Sequence, residues 1–187
     1  MYFNNSGEKN TERVLEIVFN EASKNKITKV VLPSTRGIVA KKVLNMVPDG
    51  LDIVIVTHSI GFKETGGDEF DNEVREEYKN TRHKILTTTH LFRGIDGYFY
   101  KAKQGVYPPQ ILAEGLRLFG EGTKVAVEIS IMAADAGLVP VNNWIISAGG
   151  TGKGLDTAYI LQACNSSDLS NFKFGKLLAI PSEFARQ

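Results

Sequence analysis

Short apolar runs separated by stretches of helical period constrain this chain more than any other feature. Lys29-Val30-Val31-Leu32, Leu51 to Val56, Lys84-Ile85-Leu86-Thr87 and Val141 to Ile146 have the length and apolar content of strands covered on both faces. Between them lie amphipathic segments. Thr11 to Asn25 puts Val14, Leu15, Val18 and Ala22 on one face, and Arg36 to Met46 is stopped by Pro48-Asp49-Gly50. Phe70 to Asn80, Gln110 to Phe119 and Thr123 to Ala136 read as three further helices. The last of these is apolar on almost every side, the mark of a central, buried helix. Ala158 to Ala163 reads as a fifth strand, although six residues do not separate strand from helix. Gly94 to Pro109 shows no period and reads as a long ordered loop that covers a site. Strands alternating with helices give an α/β fold, a mostly parallel sheet with helices on both faces.

At 187 residues, with no repeat, low-complexity segment or linker, the chain reads as one domain spanning 1–187. Its 22 basic and 21 acidic residues leave a net charge of +1, and no basic block suggests nucleic acid or an anionic membrane surface. No run of eighteen apolar residues predicts a membrane span. Met1 to Gly7 lacks the basic and apolar regions of a secretion signal, and the single cysteine, Cys164, suits a reducing cytoplasm. Cys164 lies in an apolar stretch and reads as a buried spectator. The histidines His58, His83 and His90 lack metal-ligand spacing.

The chemistry gathers where strands end. Ser147-Ala148-Gly149-Gly150-Thr151-Gly152-Lys153-Gly154 follows an apolar run with glycines whose N–H groups can form an anion nest, and Lys153 stands beside them. It is not a Walker A loop, because Ser147 and Gly154 occupy the positions of that motif's first glycine and its magnesium-binding hydroxyl. A plain hairpin loop is the bland alternative. The first strand runs into Ser34-Thr35-Arg36-Gly37, where a hydroxyl can cap the next helix and Arg36 can grip an anion at its N-terminus. The second runs into Thr57-His58-Ser59 and the third into Thr87-Thr88-Thr89-His90. Parallel strands deliver all these ends to one edge, so Thr35, Thr57, Thr88 and Thr151 are expected around one concavity.

His58 and His90 are candidate acid–base groups, whereas His83 precedes its strand and reads as structural. Glu128 forms a narrow polar stripe with Lys124 and Asp135. It is either a solvated Lys–Glu pair or a carboxylate held at the site or at a subunit contact.

Val31 to Gly37, Gly122-Thr123-Lys124-Val125-Ala126-Val127-Glu128-Ile129 and Ala148 to Thr157 together resemble the stand-alone pyruvate kinase C-terminal domain-like proteins of archaea and bacteria. The resemblance covers most of the chain. It implies a three-layer α/β/α domain with a five-stranded mixed sheet whose last strand is antiparallel. In pyruvate kinase the related domain looks like a regulatory module, and in the allosteric forms its hydroxyl-rich loops hold a phosphorylated sugar effector. Carried over by position, Ser34, Thr35, Arg36 and the Gly149 to Gly154 loop would face the phosphate. The chain has no catalytic barrel, which excludes pyruvate kinase activity.

These readings make a phosphorylated small molecule the expected ligand, with FMN the first candidate: its phosphate suits the nest, and its ring could lie against Phe62, Phe92 or Tyr98. Two other classes stay open. One is a hydrolase, lyase or isomerase acting on a phosphorylated metabolite, and the other is a regulatory or homo-oligomerisation module without chemistry.

Overall fold

Successive side chains of Lys29–Pro33 point to opposite faces of a sheet, and this alternation divides the core in two. The computed structural model describes residues 1–183. In chain order its elements are β1 (Tyr2–Phe3), α1 (Thr11–Lys24), β2 (Lys29–Pro33), α2 (Ile38–Met46), β3 (Asp52–Val56), α3 (Asn72–Lys79) and β4 (Lys84–Leu86). There follow α4 (Ile95–Lys103), α5 (Pro108–Arg117), α6 (Glu121–Asp135), β5 (Trp144–Gly149), β6 (Thr157–Gln162) and β7 (Lys173–Pro181). Val30 and Leu32 of β2, with Ile53 and Ile55 of β3, join one cluster with Val14, Leu15 and Val18 of α1 and Val39, Ala40 and Val43 of α2. Val31, Val54 and Val56 join the other, against Ala126, Ile129 and Met132 of α6.

The sheet is mixed, with seven strands in the order β1-β7-β6-β5-β2-β3-β4. Five strands, as the sequence resemblance implied, is therefore too few. Strands β2, β3, β4 and β5 are mutually parallel, and β6 runs antiparallel to β5. The antiparallel strand is not the last: β7 pairs antiparallel with β6, and β1 pairs parallel with β7. Neither outer strand carries a readable pattern. β1 is two residues long, and β7 is exposed over its first five residues and bulged against β6.

A second correction concerns Gly94 to Pro109, which is not a loop. It holds α4 and the start of α5, with Gln104 in the left-handed region closing α4. Only Gly97 of α4 is buried, so the helix has no apolar stripe from which a period could be read. α6 shows the opposite case. One side packs on the sheet, while Val127 and Ile131 pack with Phe92, Ala113 of α5 and Cys164. That double cover explains its nearly uniform apolarity. No helix of the described residues is long and apolar enough to cross a membrane.

Connections leave β2 toward β3 and β4 on one side, and β5 toward β6 and β7 on the other, so the strand order reverses between β2 and β5. Open α/β sheets place their crevice at such a reversal. The backbone is drawn tight there. A Cβ on Gly149 would overlap the Gly122 carbonyl, and one on Gly122 would overlap Thr157 Oγ1. These glycines let the first turn of α6 lie directly on the end of β5. Gly149→Ala should cost about 1–3 kcal/mol by forcing the two backbones apart. The reading is a lower urea midpoint at constant m-value, and an unchanged midpoint would show that α6 is free to shift.

Candidate functional site

At the carboxyl edge of β2, β3 and β5 lies a cleft of about 1120 Å³, large enough for a nucleotide-sized ligand. Its lining includes Ser34, Thr35 and Arg36 after β2, Thr57 and His58 after β3, His90 after β4, and Gly150, Gly152, Lys153 and Gly154 after β5. One face of α6 closes it with Glu121, Lys124, Val125, Glu128 and Ile129, at helical spacing. Loops more than a hundred positions apart therefore share one concavity. Thr88 and Thr151 do not reach it, nor do Gly37 and Gly149. Ser59 and Thr89 line a smaller adjoining hollow with Tyr98, while Gly97 and Tyr100 of α4 and Val106 lie along the main cleft.

The turn after β2 is built as a helix start. Ser34 Oγ accepts the Ala40 N–H at 3.2 Å, and Gly37, with φ of 88°, swings the chain into α2. Arg36 is exposed and forms no ion pair among the described residues, and the same holds for Lys153, which also lines the cleft. The lining carries eight lysines and arginines against five carboxylates, an excess suited to an anion.

The glycine loop is held from below by Asp156, a fully buried carboxylate that sequence reasoning missed. It accepts the N–H of Thr151 at 3.0 Å and of Gly7 at 2.8 Å, and the Thr157 hydroxyl at 2.8 Å. The Thr151 N–H therefore points into the protein, not into the nest. Gly152 and Gly154 have the positive φ of the loop, at 75° and 69°, whereas Gly150 is needed because a Cβ there would strike the Gly154 carbonyl.

Histidine geometry differs between the two candidates. His58 Nδ1 is 2.7 Å from Glu69 Oε2, and its Nε2 lies 3.4 Å from Thr35 Oγ1. The ring stacks on Phe62 at 3.8 Å, and the Arg93 guanidinium covers the same phenyl ring at 4.3 Å. The hydrogen bond with His58 holds the Glu69 carboxyl below its ordinary value. His90 sits deeper. Its Nδ1 is 3.9 Å from Glu128 Oε1, its Nε2 has no partner among the described residues, and burial pushes its pKa down. Glu128, only 2% exposed, accepts the Phe92 N–H at 3.0 Å and the Lys124 ammonium. Of the two readings of Glu128, the solvated pair is excluded. Asp135 lies outside the cleft, accepting from Asn165 and from the Ser166 N–H.

His83 is buried and accepts the Ile53 N–H through Nδ1, a structural task. Thr57 is buried too, its hydroxyl engaged with Thr87 and the His58 carbonyl. Cys164 is buried, and burial raises its thiol pKa. No family model matches the chain.

Two predictions come from this geometry. Asp156→Ala removes the acceptor of one buried and two part-buried donors and should cost about 2–4 kcal/mol. It should also loosen the 150–155 loop, seen as faster amide exchange there than elsewhere, and uniform exchange would deny Asp156 that role. The second concerns pH. His83 and His90 both have folded pKa values lowered mainly by burial, while the unfolded chain titrates near the ordinary value of about 6.5. As pH falls through that value the unfolded state takes up protons first, so the stability is present above it and is lost below. Thermal midpoints should drop between pH 7.5 and 5.5, less steeply for His90→Gln. A flat profile in the parent protein would show that both rings protonate in place without cost.

Proposed function

We propose that the cleft binds a phosphorylated small molecule, with the phosphate between the Ser34-Thr35-Arg36 turn and the glycine loop. The observation that carries this reading is that both segments line one cleft at the reversal in strand order, each with a cation that forms no ion pair among the described residues. The start of α2 adds N–H groups and the positive end of a helix dipole. FMN is the first candidate. The volume accommodates it, and the rings of His58, Phe62 and Tyr100 offer a partly apolar wall for an isoalloxazine. A sugar phosphate or an adenine nucleotide would use the same anion site.

The resemblance to pyruvate kinase C-terminal domain-like proteins supports the same placement, since in allosteric pyruvate kinases the corresponding loops of the related domain hold a phosphorylated sugar effector. In that reading the sheet and its two helical layers form the family's α/β/α domain, enlarged here by β1 and β7, and the protein works in the cytoplasm.

The test is direct. Protein purified without added ligand should show flavin absorbance or take up FMN in a calorimetric titration. Arg36→Ala removes a charge-assisted contact of about 1.5–3 kcal/mol and should weaken binding about ten- to hundredfold without unfolding the domain. Failure of FMN, a sugar phosphate and AMP to bind would overturn the phosphate site, while binding of the latter two alone would remove only the flavin.

A further inference from the structure

The phosphate position just described lies beside a second arrangement that binding does not need. Thr35, at the turn that would hold the phosphate, has its hydroxyl 3.4 Å from His58 Nε2. The opposite nitrogen of that ring is 2.7 Å from Glu69, whose carboxyl is held ionised by the contact. A carboxylate at Nδ1 fixes the proton on that nitrogen and leaves the Nε2 lone pair directed toward the Thr35 side of the cleft. Stacking on Phe62 restrains the ring against rotation. Lys63, 3.6 Å from the other Glu69 oxygen, completes the support. A carboxylate that orients an imidazole, and an imidazole whose second nitrogen has only a long contact with a hydroxyl of the anion turn, are the components of general-base catalysis.

We propose that this cleft hydrolyses phosphate monoesters, with His58 as general base and Glu69 as its positioning residue. The proposal rests on the phosphate reading above. It follows from where the base stands: Nε2 is in hydrogen-bonding contact with the anion turn, so the phosphoryl group, and not a distant part of the ligand, is what the base can serve. A water between Nε2 and the phosphorus gives up a proton to His58 as its oxygen bonds to phosphorus. The ester P–O bond breaks, its electron pair leaves with the alkoxide, and the alkoxide takes a proton from solvent. His58 then releases its proton to solvent, and the products are an alcohol and inorganic phosphate. The water takes the place of the Thr35 hydroxyl at Nε2, that hydroxyl turns to donate to the phosphoryl group, and Arg36 and the start of α2 meet the charge on the phosphoryl oxygens. His90 stands apart from this role. Its pKa is lowered by burial and its Nε2 is buried, so it forms an uncharged wall 5.5 Å from the His58 ring.

The experiment uses the full chain with FMN, glucose 6-phosphate, AMP and p-nitrophenyl phosphate, following phosphate release in water enriched in oxygen-18. One labelled oxygen should enter each phosphate released. His58→Ala should lower kcat by about 10²- to 10⁴-fold while calorimetry shows the ester still bound. Glu69→Ala should lower kcat by a smaller factor at unchanged KM, and Arg36→Ala should act mainly on KM. Added imidazole should restore part of the His58→Ala rate, which a merely structural histidine would not allow. Esters that bind and release no phosphate above the His58→Ala background overturn the hydrolase and leave the binding site standing. Absence of binding by all four removes both, and bound FMN that keeps its phosphate indefinitely also overturns the hydrolase.

Discussion

The double burial of α6 governs how the rest of this molecule is arranged. A helix packed on the sheet by one side and under α5 by the other has almost no solvent-facing surface on which to place polar groups. Its few polar residues must therefore find partners inside. Thr123 bonds to Tyr159 and to the Phe119 carbonyl, Ser130 bonds to the Val127 carbonyl, and Glu128 takes Lys124 and the Phe92 N–H. An unpaired carboxylate in that position would cost several kcal/mol. The pair also fixes the start of the segment after His90, because Phe92 is tied to Glu128 through its backbone. The wall of the cleft thus follows from the way a central helix satisfies its own polar atoms.

The same constraint explains the close backbone contact at the other end of α6. Gly122 and Gly149 have no side chains where the helix meets β5, and the glycine loop begins one residue later. The position of the loop is therefore set by packing before any ligand is considered. What remains free is the side of the loop on which Lys153 lines the cleft, as Arg36 does from the turn after β2.

The elements read most directly from sequence were those with a strong local pattern. β2, β3, β4, β5 and β6 and five of the six α-helices among the described residues stand within three residues of the segments read from the sequence. β1, β7 and α4 escaped because their residues are mostly exposed or too few to show a period. The site divided in the same manner. Ser34, Thr35, Arg36, His58, His90 and Lys153 follow strands or lie in glycine-rich sequence, and the fold brings them together. Glu69 and Asp156 gave no signal. Glu69 depends on a ring eleven positions away, and Asp156 on an N–H 149 positions away, contacts that only the assembled sheet creates. Thr88 and Thr151 were misplaced because a hydroxyl near a strand end has two sides to face, and sequence does not indicate which.

The pairing of Gly7 with Asp156 has a practical side. The amino group of Met1 is bound by the Leu178 carbonyl, β1 pairs with the end of β7, and Gly7 then hands the chain to the carboxylate beneath the glycine loop. The first seven residues thus work as a strap from the sheet's outer edge to the floor of the cleft. A substitution that weakened the pairing of β1 with β7 would slacken that strap. Its influence would be felt at Asp156, far from the sheet's outer edge in appearance but only one short strand and one turn along the chain.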